Sequence, residues 1–93
     1  MDAMSDMDEI RAPAEQDAAT EAAVLRQLLA LHPAQSSFDE LLGDFASDPG
    51  DFAQRDAIER AVRDLAANGL LHRNGELVLP SRAALRFDEL LAD

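Results

Sequence analysis

Arg55, Arg60, Arg63 and Arg73, with Asn74, are the side chains whose type and spacing suit them to chemistry with another molecule. A guanidinium is permanently charged and presents a planar fork of N–H donors. That fork matches a phosphate, a carboxylate or the O6/N7 edge of guanine. Arg60 and Arg63 stand three apart, so a helix brings them to one face. The same residues have a plainer reading. Asp56 precedes Arg60 by four and Glu59 precedes Arg63 by four, and such i,i+4 ion pairs are worth ~0.2–0.5 kcal/mol each. Arginines partnered in this way on a solvated face require no ligand.

Other chemistry is poorly supplied. There is no cysteine, hence no disulfide framework and no thiolate metal site, and the only imidazoles are His32 and His72, far apart in sequence. His32 reads as an exposed, helix-terminal histidine. No nucleophile elbow, phosphate-cradling glycine loop or paired-histidine motif occurs. Carboxylates abound, but abundance on a surface is not an acid–base pair in a pocket. Neither an enzyme, a metal site nor a cofactor is expected.

Charge frames the choice of partner. The 93 residues carry 19 acids against 8 arginines and no lysine, a net charge of −11. The absence of lysine fits a GC-rich coding bias. Such a chain repels nucleic acid and anionic membranes at long range. The imbalance is sharpest between Gln27 and Gln54, where five acids (Asp39, Glu40, Asp44, Asp48 and Asp51) meet no basic residue. No apolar run approaches the ~20 residues that span a bilayer, and the acidic start is not a secretory signal. A cytoplasmic location without membrane contact is the expectation.

The elements that must position these residues can be read in order. Residues 1–16 show no periodicity and are expected to be a disordered acidic tail, with a single small domain over 17–93. The tail is either a solvated leader or a mobile acidic segment that competes for a basic patch. A first helix is predicted from Asp17 or Thr20 to Leu31, burying Val24, Leu25, Leu28 and Leu31, with Leu29 on the margin; Pro33 marks its end. Ser37 and Glu40 form a capping box for a second helix whose apolar stripe is Phe38, Leu41, Leu42 and Phe45. Ser47-Asp48-Pro49-Gly50 is a turn. Asp51 and Gln54 make a second capping box, followed by Ile58, Ala61, Val62 and Leu65 on one stripe. Asn68-Gly69 stops that helix.

Strands are predicted over Leu70–Arg73 and Glu76–Leu79, joined by a type I′ turn at Asn74-Gly75, with Leu77 and Leu79 facing the helices. A short third strand is expected near Gln35–Ser37. Ser81 caps a last helix in which Ala83, Ala84, Phe87, Leu90 and Leu91 share a face. Leu85 lies nearly opposite, either as a tolerated surface leucine or as part of an association surface. The expected core is Leu25, Leu28, Leu31, Phe38, Leu41, Leu42, Phe45, Ile58, Val62, Leu65, Leu70, Leu77, Leu79 and Phe87. The fold class is mainly α with a small β-hairpin.

The run IERAVRDLAANGLLHR (58–73), the hairpin after it and the helix start LPSRAAL (79–85) resemble the third helix, wing and following helix of winged helix-turn-helix proteins of the MarR and GntR type. The likeness covers roughly residues 20–92 and extends to small acidic winged-helix proteins of actinobacteria. It implies a winged helix-turn-helix fold, with the third helix as recognition helix in a DNA major groove and the hairpin as wing. Arg55, Arg60, Arg63, Arg73 and Asn74 are then the DNA-binding candidates, in a transcription-regulator-like role. It also implies terminal helices that form a homodimer interface, with Leu29 and Leu85 as candidates.

Winged helices serve as protein-interaction modules too. In that reading the acidic second helix, through Asp39, Glu40 and Asp44, meets a basic protein partner, with Leu85 as a further partner-binding candidate; a nucleic-acid mimic is a special case. What separates the two readings is the arrangement of Arg55, Arg60, Arg63, Arg73, Arg82 and Arg86. One open patch favours DNA; dispersal or engagement by carboxylates favours protein.

Overall fold

The computed structural model describes residues 13–46, 48 and 50–92. Among them are four helices and three short strands: α1 (Pro13–Leu31), β1 (Ser36–Ser37), α2 (Phe38–Phe45), α3 (Phe52–Ala67), β2 (Leu71–Asn74), β3 (Leu77–Pro80) and α4 (Arg82–Leu91). The chain is thus mainly helical with a small antiparallel sheet.

Helix α1 starts at Pro13, ahead of the expected Asp17 or Thr20. Proline suits a first helical position, where its missing N–H would have had no intrahelical acceptor. Residues 13–16 therefore belong to the helix. The rest of the expected acidic tail, residues 1–12, lies outside the described residues, as do Ser47 and Pro49 of the expected turn.

Local chemistry sets the remaining helix ends. The Glu40 amide donates to Ser37 Oγ at 3.0 Å, and the Ser37 amide donates to Glu40 Oε1 at 2.8 Å, which completes the capping box of α2. The Gln54 amide donates to Asp51 Oδ1 at 3.1 Å at the start of α3, but the Asp51 amide donates to the Asp48 carbonyl at 2.9 Å and not to the Gln54 side chain, so the second capping box expected from the sequence forms only by half. That helix ends in a Schellman motif: the Leu70 amide donates to the Leu65 carbonyl and the Gly69 amide to the Ala66 carbonyl. Gly69 has φ 81°, the left-handed geometry that the motif requires. Ser81 caps α4 by accepting from the Ala84 amide.

The strand order is β1-β3-β2, antiparallel throughout, and the short third strand expected near Gln35–Ser37 is present as β1. The hairpin register differs from expectation. Arg73 pairs with Val78 and Asn74 with Leu77, so Gly75-Glu76 is the loop, one residue later than the Asn74-Gly75 turn read from sequence. Gly75 has φ 63° and no described non-glycine residue has positive φ. Positive φ at the first loop residue alone is the pattern of a type II′ turn, not type I′.

The inward face of the hairpin is also the opposite of the expected one. Val78 and Leu71 are buried, whereas Leu77 and Leu79 are only half-buried. The cause lies at the end of α3. Leu70, in the Schellman motif, packs partly buried against the core, and Leu71 is the first residue turned fully inward. Leu71 pairs with Pro80 and Arg73 with Val78, and directly opposed residues share a face. Leu71 therefore commits Val78 and Pro80 to the inside, and a one-residue difference exchanges the faces.

The core is Val24, Leu28, Leu41, Leu42, Ile58, Ala61, Val62, Leu65, Leu71 and Val78, with Leu25, Phe38, Phe45 and Leu70 packed around it. Leu31 and Phe87, both expected inside, are exposed. Helix α4 is held at its first turn. The Ser81 amide donates to the Leu70 carbonyl, and Ser81 and Ala84 are buried. Beyond Ala84 the helix runs past the body, leaving Phe87, Leu90 and Leu91 61%, 63% and 68% exposed.

Candidate functional site

Ile58, Ala61, Val62 and Leu65 anchor α3 to the core and leave its other side in water. At ~100° per residue, Phe52, Asp56, Glu59 and Arg63 fall on one outward stripe, with Arg60 beside it and Arg55 on the flank. All but Arg55, which is half-buried, are exposed. Phe52, at the first position of the helix, is 71% exposed. Sequence reading passed over it, although its spacing from Asp56, Glu59 and Arg63 was visible there.

Neither intrahelical pair expected from spacing, Asp56–Arg60 or Glu59–Arg63, closes. Arg60 Nη2 instead donates to Asp17 Oδ1 on α1 at 3.4 Å. Both side chains are about half exposed, so the bond is worth at most ~1 kcal/mol, but it gives the guanidinium a carboxylate partner. Arg73, on β2, lies over the Phe38 ring with 5.0 Å between guanidinium carbon and ring centroid, a cation–π contact worth ~0.5–1 kcal/mol at an exposed site. Arg86 pairs with Glu89 on its own helix at 3.2 Å. Of the six arginines whose arrangement separates the two readings, Arg60, Arg73 and Arg86 are thus engaged within the chain. Arg55, Arg63 and Arg82 make no ion pair among the described residues, and Asn74 is exposed beside the hairpin loop.

The acidic stretch is open. Asp39, Glu40 and Asp44 on α2, and Asp48 and Asp51 in the following turn, are all exposed. The Gln27 side-chain amide donates to Asp44 at 3.3 Å, and the Gly50 amide donates to Asp48 Oδ1 at 2.9 Å. Phe52 directly follows these acids. On the other flank of α3, Glu21 is held above the ordinary glutamate range, first by partial burial and then by the neighbouring charges of Asp64 and Asp17. No group of three or more metal-ligating side chains is placed to hold an ion among the described residues. No helix among them is long and apolar enough to cross a membrane.

A second surface lies between α1 and α4. Leu25, Arg26 and Leu29 face Phe87, Asp88 and Leu91 across an open, mostly apolar groove of about 240 Å³. Leu29 was a sequence candidate for this side of the molecule; Leu85 is half-buried and does not line the groove. Compared with family models, with curated proteins and with solved structures, the chain finds no match.

Proposed function

We propose that the chain is a winged helix-turn-helix whose acidic face, from α2 through the start of α3, binds a basic protein partner. The element order supports the fold reading: α2 and α3 form the helix-turn-helix, the β2–β3 hairpin follows as the wing, and β1 adds the third strand. The observation that carries the functional reading is the outward stripe of α3. In a DNA-bound helix-turn-helix the first turns of the recognition helix meet base edges. Here those turns present Phe52, Asp56 and Glu59, and Arg60 is drawn toward Asp17. Phosphates near α2 and its turn would meet Asp39, Glu40, Asp44, Asp48 and Asp51 with no cation in that stretch of sequence and Arg73 over Phe38 beside it, so the counterion-release term that drives DNA affinity is weak there. An exposed aromatic that follows Asp51 and shares a helix stripe with Asp56 and Glu59 suits a partner that sets an apolar residue among arginines or lysines.

Arg63, exposed and without an ion pair among the described residues, favours a second reading in which α3 does enter a DNA groove. One pair of titrations separates the two. An arginine-rich amphipathic peptide should bind the full chain, with salt-dependent affinity weakened about tenfold or more by Phe52→Ala. Random-sequence duplex DNA should show no binding at ~50 mM salt. Duplex binding that weakens at ~200 mM salt and disappears in an Arg60→Ala/Arg63→Ala variant would replace the protein reading with the DNA one.

A further inference from the structure

The outward stripe of α3 carries its charges in a fixed order. Phe52, Asp56, Glu59 and Arg63 follow one another at intervals of four, three and four residues. At 1.5 Å per residue they lie at ~0, ~6, ~10.5 and ~16.5 Å along the helix axis, and at ~100° per residue they fall within about 60° of one another. All four are exposed, and Arg63 makes no ion pair among the described residues, with Glu59 or with any other carboxylate. On one flank Arg60 is drawn to Asp17, and on the other Arg55 is half-buried. From the start of α3 onward the stripe therefore reads apolar, negative, negative, positive. A partner of uniform positive charge would meet Asp56 and Glu59 well and be repelled at Arg63.

Resting on the protein-partner reading above, we propose that the partner contributes an α-helix that lies antiparallel along this stripe and answers its order in opposite sign. From its N-terminal end that helix sets an acidic residue against Arg63, basic residues against Glu59 and Asp56, and an apolar residue against Phe52. The spacing selects a helix. A helix nearly parallel or antiparallel to α3 advances by the same 1.5 Å per residue, so its positions i, i+4, i+7 and i+11 fall opposite all four side chains. A strand sets residues of one face ~6.6–6.8 Å apart and falls out of step with the ~4.5 Å between Asp56 and Glu59. Charge selects the direction. In the antiparallel arrangement the partner helix has its acid toward its N-terminus and its bases toward its C-terminus, as its own macrodipole favours. The acid also precedes the first base by four residues, the better order for an i,i+4 pair. The C-terminal end of the partner helix then faces the N-terminal end of α3, so their macrodipoles attract. Arg63 is the specificity-determining residue of this arrangement: it penalises an all-basic helix and fixes which end of the partner meets Phe52.

Three designed helical peptides titrated against the full chain at ~150 mM salt test this. At four facing positions, spaced by four, three and four residues, the first carries Glu, Arg, Arg and Leu from its N-terminus. The second has Arg in place of that Glu, and the third has the reverse order, Leu, Arg, Arg and Glu. The first should bind about three- to tenfold more tightly than either of the others. Net charge alone favours the second, because the chain carries −11, so the expected preference isolates the contact at Arg63. Arg63→Glu should reverse the preference between the first two peptides. The position is exposed, and circular dichroism checks that the variant is folded; if it is not, Arg63→Gln serves, expected to abolish the preference. Failure of all three peptides to bind overturns the protein-partner reading and this proposal with it. Equal or tighter binding of the second peptide, or a preference indifferent to the substitutions at Arg63, overturns the proposal and leaves that reading in place. Equal or tighter binding of the third overturns the antiparallel direction.

Discussion

Helices α2 and α4 are short, capped by serine and apolar along one side, yet their apolar sides end in different surroundings. Leu41 and Leu42 of α2 are buried, with Phe38 and Phe45 packed against the core. On α4 only Ala84 is buried, while Phe87, Leu90 and Leu91 face water. The difference follows from what surrounds each helix. Helix α2 begins at the sheet edge formed by β1 and lies against α3, so its stripe meets the core along its length. Helix α4 is fastened at Ser81 and Ala84 and then leaves the body, with α1 as its main neighbour. An amphipathic pattern announces that a face will be covered, without stating by what.

The sharpest test of this contrast is a pair of truncations read by urea denaturation. Leu41→Ala should cost ~2–5 kcal/mol, since a fully buried leucine leaves a cavity. Phe87→Ala, measured at concentrations too low for association, should cost less than ~1 kcal/mol despite the larger side chain removed. Equal losses would show that α4 is packed as tightly as α2. Next come the caps. Ser37→Ala and Ser81→Ala should each cost about 1 kcal/mol, because both hydroxyls accept from a backbone amide in the first turn. A negligible loss at Ser81 would mean that even the first turn of α4 is weakly held.

The smallest effect belongs to α1, which touches both helices. The carboxyl of Glu21 is held above its ordinary range in the fold, so the folded chain retains a proton that the unfolded chain releases at lower pH. Stability should therefore fall as pH rises from the ordinary glutamate range through the raised folded value. Glu21→Gln should be modestly more stable than the natural chain above that window, with the gain fading at lower pH. A gain that grows as pH is lowered would reverse the assigned direction.

Much of this architecture was legible because the signals are local. Ser37 with Glu40, Asp51 with Gln54 and Asn68-Gly69 act within one helical turn, and each marks the end it was expected to mark. The sheet face was not legible from its own residues. Leu77/Leu79 and Val78/Pro80 alternate equally well, and the choice passes from the end of α3 through Leu71 into the strand register. The exposure of Phe87 was hidden for a related reason, since it depends on where α4 leaves the body. The candidate site was legible in part. The arginines of α3 could be placed by counting, but Asp17, which engages Arg60, comes from a helix 43 residues away in sequence.

The central position of β3 has a consequence for the order in which the chain can assemble. β1 follows the first helix in sequence, yet its strand partner among the described residues is the second arm of the hairpin, and the amide of Phe38, the next residue, donates to the Glu76 carbonyl at 2.8 Å. A chain growing from its N-terminus cannot form any strand pair of this sheet until residues beyond the hairpin loop have been made. The hairpin, closed by a two-residue loop, can then form quickly, whereas β1 must close a long loop to reach it. The Phe38 amide should accordingly be among the last to gain protection from hydrogen exchange during refolding, making it a natural reporter of when the two halves of the chain have joined.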